Sequence, residues 1–160
     1  MSESIDISSI KEHIRRIEQS IDSDPAQVIG SAKELVETVS KVVLQRFQRP
    51  SEGYDSVQRL AKEALKCLPL LKVQASETRA EASLRQVTSG LAQIVGGVAE
   101  LRNAEGTGHG RIAAGNLEPR HARLVVTAAS ALCTFMLESL EGHPPQGPIP
   151  FLDPPDRPML

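Results

Sequence analysis

The sequence predicts an all-α fold: an antiparallel bundle of four long helices, preceded by one short helix. Three observations point there. The aromatic fraction is 2%, with three Phe, one Tyr and no Trp in 160 residues, and all-β domains draw more heavily on aromatic and β-branched side chains. Apolar residues recur at spacings of three and four through five segments, which is the helical period. The strands that a Rossmann or P-loop unit needs are missing.

The first helix is expected over 9–21. Ser9 and Glu12 have the spacing of a capping box, and Ile10, Ile14, Ile17 and Ile21 fall on one face. The second is expected over 24–47, with Asp24 as N-cap, Pro25 in the first turn and Gln27 at the third position. Its stripe is Val28, Ala32, Leu35, Val39, Val42 and Val43, and Pro50 enforces an end just beyond Arg49. Lys33, Glu34 and Glu37 are expected on its solvated face.

The third helix is expected over 55–68, capped by Asp55 and ended by Pro69. Val57, Leu60, Ala61, Ala64, Leu65 and Leu68 line one side. The fourth is expected over 78–102. Leu84, Val87, Leu91, Ile94, Val98 and Leu101 follow a 3-4-3-4-3 spacing, the seam of a helix packed against helices. Gly90, Gly96 and Gly97 lie inside it, each costing about 1 kcal/mol relative to Ala. Close approach of a neighbouring backbone would account for them, and so would plain tolerance of the cost.

Residues 103–118 hold four glycines and no period, so a loop of about 16 residues is expected, a length that is uncommon in compact domains. The fifth helix is expected over 119–140, with Pro119 at its start and a stripe of His121, Leu124, Val125, Ala128, Leu132, Phe135 and Met136. The tail from Gly142 to Leu160 holds seven of the eleven prolines and is expected to be an extended arm. The division is thus a helical domain over 1–141 and a tail over 142–160.

Composition narrows the function. The formal net charge is −2, which disfavours a basic DNA-coating protein, and the scarcity of flat rings disfavours a base-stacking module. Cys67 and Cys133 form no CxxC pair and sit within apolar patterns, as buried reduced thiols do. No uninterrupted apolar run reaches 18 residues, so no membrane span is expected. Charges throughout the first 20 residues leave no secretory h-region, and a cytoplasmic location is expected by default. His13, His109, His121 and His143 lack zinc-ligand spacing, and no metal or other cofactor is expected.

The chemistry-bearing stretch is Leu101-Arg102-Asn103-Ala104-Glu105-Gly106-Thr107-Gly108-His109-Gly110-Arg111. Arg102 closes a helix and His109 lies seven positions on, with Gly106 and Gly108 expected to turn the chain back. A neutral imidazole can take a proton near pH 7. A guanidinium can grip a phosphate through two hydrogen bonds and stabilise negative charge in a transition state. Base plus guanidinium, without a metal, suffices for attack of a ribose 2′-hydroxyl on its neighbouring phosphate. The same residues also fit a plainer reading, a cation favoured by the helix macrodipole and a histidine in a glycine loop. Between 102 and 123, Arg102, Arg111, Arg120 and Arg123 stand against Glu105 and Glu118, a local basic bias that suits RNA phosphate. Scattered surface arginines would give the same count.

The segment LRNAEGTGHGR resembles the signature of the HEPN superfamily: Arg, a short spacer opening on a polar residue, then His. Here Arg102 and His109 enclose six residues beginning with Asn103. Residues 24–44 resemble the C-terminal domain of abortive-infection proteins, a HEPN branch of phage defence, and residues 121–138 resemble the closing helix of that group. The resemblance implies a dimerising helical bundle and a metal-independent endoribonuclease that leaves a cyclic phosphate, with Arg and His of two protomers in a shared cleft. It makes His109 the general base, Arg102 the phosphate clamp and Asn103 a positioning group; the local basic bias, separately, makes Arg111, Arg120 and His121 the expected further RNA contacts. Some members of the superfamily have lost catalysis and only bind or dimerise. The implied partners are RNA, a second copy of the chain, and an antitoxin such as a nucleotidyltransferase.

Overall fold

The structure, a computed structural model, describes residues 7–71, 79–106 and 117–142. It contains five helices: α1 (Ile7–Gln19), α2 (Pro25–Arg46), α3 (Val57–Cys67), α4 (Arg79–Gly106) and α5 (Pro119–Glu141). No strand occurs among the described residues.

Local sequence explains most of the helix ends. Asp24 caps α2, its Oδ1 accepting a hydrogen bond from the Gln27 N–H at 3.1 Å, with Pro25 at the first helical position. The far end of α2 closes in a Schellman arrangement. Gln48 takes a left-handed φ of 54°, its N–H donates to the Gln45 carbonyl, and the Arg49 N–H reaches back to the Leu44 carbonyl at 2.8 Å. Pro50 then prevents any continuation.

Three expected starts and stops move. α1 begins at Ile7, so Ser9 lies inside the first turn and does not cap it. α3 is capped by Ser56, not Asp55: the Ser56 Oγ accepts from the Arg59 N–H at 3.2 Å. The hydroxyl wins over the neighbouring carboxylate because Ser56 holds the extended backbone a cap requires. α3 is also short, at 11 residues against 13 for α1, so the expected four long helices and one short one become three long and two short. α4 runs on to Gly106, and the expected loop over 103–118 loses its first four residues. Gly106 does not stop the helix, because a helix C-terminus is where glycine costs least. Leu117 and Glu118 are also outside that loop, as the buried approach and N-cap of α5.

The core follows the predicted stripes on α2 and α3. Val28, Ala32, Leu35, Val39 and Val43 are buried, joined by Ile29, Val36 and Leu44, while Val42 is half-buried. On α3, Val57, Leu60, Ala61, Ala64 and Leu65 are buried, with Leu68 just past its end. α2 packs on α5 and α3, and α4 packs on both of those, so α2, α3, α4 and α5 meet in a ring. α1 lies against α5 and α2. Lys11 meets Glu141 at 3.5 Å and Asp22 meets Arg123 at 3.4 Å, so α1 runs antiparallel to α5.

Two stripes are corrected. On α4 the expected seam is not the deepest face: Val87 is 59% exposed, and Leu84, Leu91, Ile94 and Val98 are only half-buried. Thr88, Ala92 and Val95 are the buried positions, one residue round the helix. On α5, Leu124 is 54% exposed, whereas Val125, Ala128, Leu132 and Met136 are buried as expected, together with Val126, Cys133, Leu137 and Leu140. α5 also meets the length and composition of a membrane-crossing helix, although its apolar residues form no uninterrupted run. Half of that apolar window is buried in the core. The proline-rich tail beyond Gly142 lies outside the described residues.

Candidate active site

Arg102 and Asn103 sit in the last turn and a half of α4. The last four carbonyls of a helix lack intrahelical partners and carry partial negative charge, which favours a cation there. His109 and Arg111 lie outside the described residues, as do the side chains of Arg102 and Asn103. The chain resumes at Leu117, which is buried, and Glu118, the N-cap of α5.

The start of α5 carries the remaining candidates, and both are engaged locally. The His121 Nδ1 accepts a hydrogen bond from the Glu118 backbone N–H at 2.9 Å. This ties the imidazole to the helix start and leaves Nε2 as its free polar atom. Arg120 donates from Nε to the Glu118 carboxylate. Arg123 reaches the Asp22 carboxylate at 3.4 Å. The basic bias counted over 102–123 is therefore reduced in three dimensions: Arg120 pairs within the segment, and Arg123 pairs with an acidic residue a hundred positions away. Both pairs are exposed, and such pairs contribute about 0–1 kcal/mol, so phosphate can compete for these arginines.

Three surface pockets among the described residues lie elsewhere, and neither Arg120 nor His121 lines them. One, of about 190 Å³, is formed by α2 and the α2–α3 connection. Lys33, Glu37 and Lys41, one helical turn apart, line it with Glu52, Tyr54 and Asp55. Lys33 and Glu37 are half-buried there, against the expectation of a solvated face. Lys41 bridges Glu37 and Glu52, each at 3.2 Å. The hydrogen bonds to Glu52 and then Glu37 raise its pKa above the ordinary lysine value. With its charge so held, Lys41 serves to pin the loop to α2, not to activate a substrate. A second pocket, of about 430 Å³, separates α1 from α2 and includes His13, Arg16 and Glu34. A third, of about 450 Å³, runs between α3 and α4.

The thiols are poor nucleophiles. Burial pushes the Cys133 pKa up to about 12. The half-buried Cys67 is also raised by burial, with the Arg49 charge opposing that shift. Both are free. Among the described residues, no three of His, Cys, Asp and Glu gather as a metal site would require. The signal for the α2 pocket was present in the sequence as the i, i+4, i+8 spacing of Lys33, Glu37 and Lys41. Its enclosure depends on the loop folding back, which helical period does not report.

Comparison with curated proteins and with solved structures found no match. Comparison with protein families did: residues 8–140 match Abi_C, a HEPN-like domain. That span opens in α1, closes in α5, and includes the Arg102-to-His109 segment. The match covers most of the chain, and the chain belongs to the Abi_C family of HEPN-like domains.

Proposed function

We propose that the protein is a metal-independent endoribonuclease acting in phage defence by abortive infection, or as a toxin. The observation that carries this reading is the Arg102–x6–His109 pattern at the C-terminal end of α4, in a chain of the HEPN-like Abi_C family. His109 takes the proton of a ribose 2′-hydroxyl, and the freed oxygen attacks the adjacent phosphorus. The 5′-oxygen of the next nucleotide leaves, and a 2′,3′-cyclic phosphate remains. Arg102 holds the phosphate and stabilises the charge it gains. Asn103 positions the reacting group, and Arg111, Arg120 and His121 contact flanking RNA. The reaction needs no cofactor, and the protein works in the cytoplasm.

Two such pairs facing each other make a cleft, so the active form is a homodimer across α4. Val87, Ile94 and the glycines at 90 and 97 lie on one face of α4 at helical spacing. Val87 is largely exposed, and a methyl added at Gly90 or Gly97 would meet nothing within 4 Å. Among the described residues nothing fills the space at Gly90 or Gly97, which suits close approach of a second α4. It equally supports the other reading, a catalytically silent dimerisation module that binds RNA or a partner such as an antitoxin.

Cleavage of RNA by the purified protein in EDTA separates the two. Wild-type protein is expected to cut and to leave cyclic-phosphate ends, and His109→Ala to lose about 10²–10⁴-fold in rate. Arg102→Ala is expected to lose both rate and RNA affinity. Arg102→Lys should recover only part, because an ammonium keeps the charge without the planar fork. Cutting by His109→Ala at the wild-type rate, or loss of cutting in EDTA, rejects the mechanism.

A further inference from the structure

The α3–α4 groove holds charges that the Arg–His site does not use. Arg59, Lys62 and Lys66 lie at positions i, i+3 and i+7 of α3, along one wall of the 450 Å³ groove. All three are exposed. Lys62 has no ion-pair partner among the described residues. Arg59 is shared with Asp55 at 3.6 Å, and Lys66 with Glu63 at 2.7 Å. These surface pairs are weak and exchangeable. The facing wall, on α4, offers Ser89 and Gln93, with Gln58 at the α3 end. α3 thus carries three cations against one carboxylate, Glu63, in a chain whose net charge is −2.

We infer that this groove is a tracking site for single-stranded RNA, holding the backbone on its way to the end of α4. The three cations span about 10 Å of helix, room for about three phosphates of a strand that keeps the stacked rise of about 3.4 Å it has in a duplex and fewer of one that is extended. The hydroxyl and amide side chains opposite supply neutral hydrogen-bonding groups for phosphate and sugar oxygens. The chemistry fits a nucleic-acid backbone better than an acidic polypeptide. A protein partner needs an apolar anchor pocket, and among the described residues Ala92 is the one apolar side chain lining the groove. Gln93 lies nine residues before Arg102 on the same helix, about 14 Å along the axis, so a strand in the groove reaches the α4 terminus within a few nucleotides.

The inference rests on the ribonuclease reading only for the identity of the ligand as RNA. Its test is binding of a 12-nucleotide 2′-O-methyl oligoribonucleotide, which lacks the attacking hydroxyl and stays intact, measured across a salt series. The variant Arg59→Gln/Lys62→Gln/Lys66→Gln is compared with Lys11→Gln/Arg15→Gln/Arg16→Gln on α1, which removes the same charge from exposed positions elsewhere. Circular dichroism confirms that each is folded. The groove variant is expected to bind at least about tenfold more weakly at 0.1 M salt. Its log–log salt slope should be shallower by about 2, at about 0.7 per lost phosphate contact. The α1 variant should bind as wild type does. If wild-type protein binds the oligonucleotide and both variants bind alike, the groove inference alone fails. If wild-type protein binds no oligonucleotide, or the groove retains polyglutamate in its place, the RNA reading fails with it.

Discussion

His121 shows how a side chain proposed for the site is constrained before any ligand arrives. Its Nδ1 accepts from the Glu118 N–H, so only Nε2 remains to meet RNA, and its direction is set by the helix start. Arg102 stands in the closing turns of α4, where the helix dipole favours a positive charge and so suits a phosphate clamp. The two cysteines give a check on the core at this same scale. The thiolate is the reactive form, and with a pKa of about 12 Cys133 is ionised to about one part in ten thousand at pH 8. Native protein treated with a disulfide reagent at pH 8 is expected to lose one thiol, Cys67, at a reduced rate, and the second only on unfolding. Two thiols reacting at once in the native state would contradict the burial of Cys133.

Among the elements, α4 holds the most information. It packs against α3 and α5 through Thr88, Ala92 and Val95, while on the strip through Val87, Gly90, Ile94 and Gly97 the first and last residues are exposed and the two between them half-buried. Gly96 differs from the other two glycines. A methyl there would run into the Gln58 side chain, so that glycine serves the approach of α3 to α4. Gly97→Ala is expected to act in opposite directions on two measurements. In the separated chain it should stabilise by about 1 kcal/mol through helix propensity, because nothing lies within 4 Å. In a dimer joined across α4 the methyl occupies the contact and should weaken association. Val87→Glu should abolish association outright, since it places a charge at the centre of an apolar contact. Sedimentation velocity at micromolar concentration reads both variants. A wild-type monomer, or a Val87→Glu dimer as tight as wild type, would remove the proposed interface.

For the whole molecule, stability is concentrated where α5 meets α2. Leu132, Met136 and Leu137 are fully buried on α5, as are Val36, Val39 and Val43 on α2. Leu132→Ala should cost about 2–5 kcal/mol through lost burial and a residual cavity, lowering Tm by about 5–15 °C for a domain of this size. Leu124→Ala, on the same helix but half-exposed, should fall within about 0.5 kcal/mol of wild type. Thermal melts of the two variants that coincide would overturn the assignment of the buried face.

The sequence by itself determined the helical class, the family, and most helix boundaries, because these depend on local signals. Asp24, Pro25, Pro50 and Pro119 act on the backbone within a turn of where they stand. The stripes on α2 and α3 point inward because neighbouring helices flank them. The Arg102–His109 pattern was legible for the same reason, as a spacing along one stretch of chain. Tertiary structure decided what a period of 3.6 cannot, namely which side of an apolar helix finds a neighbour. On α4 the regular seam is wider than the face that α3 and α5 cover, so Val87 is left exposed and Thr88 is buried. The ion pair that draws Arg123 away from the local basic count, the loop that encloses Lys41, and the groove between α3 and α4 likewise depend on which elements meet. Pairing and enclosure join residues far apart in the chain, and no local spacing encodes them.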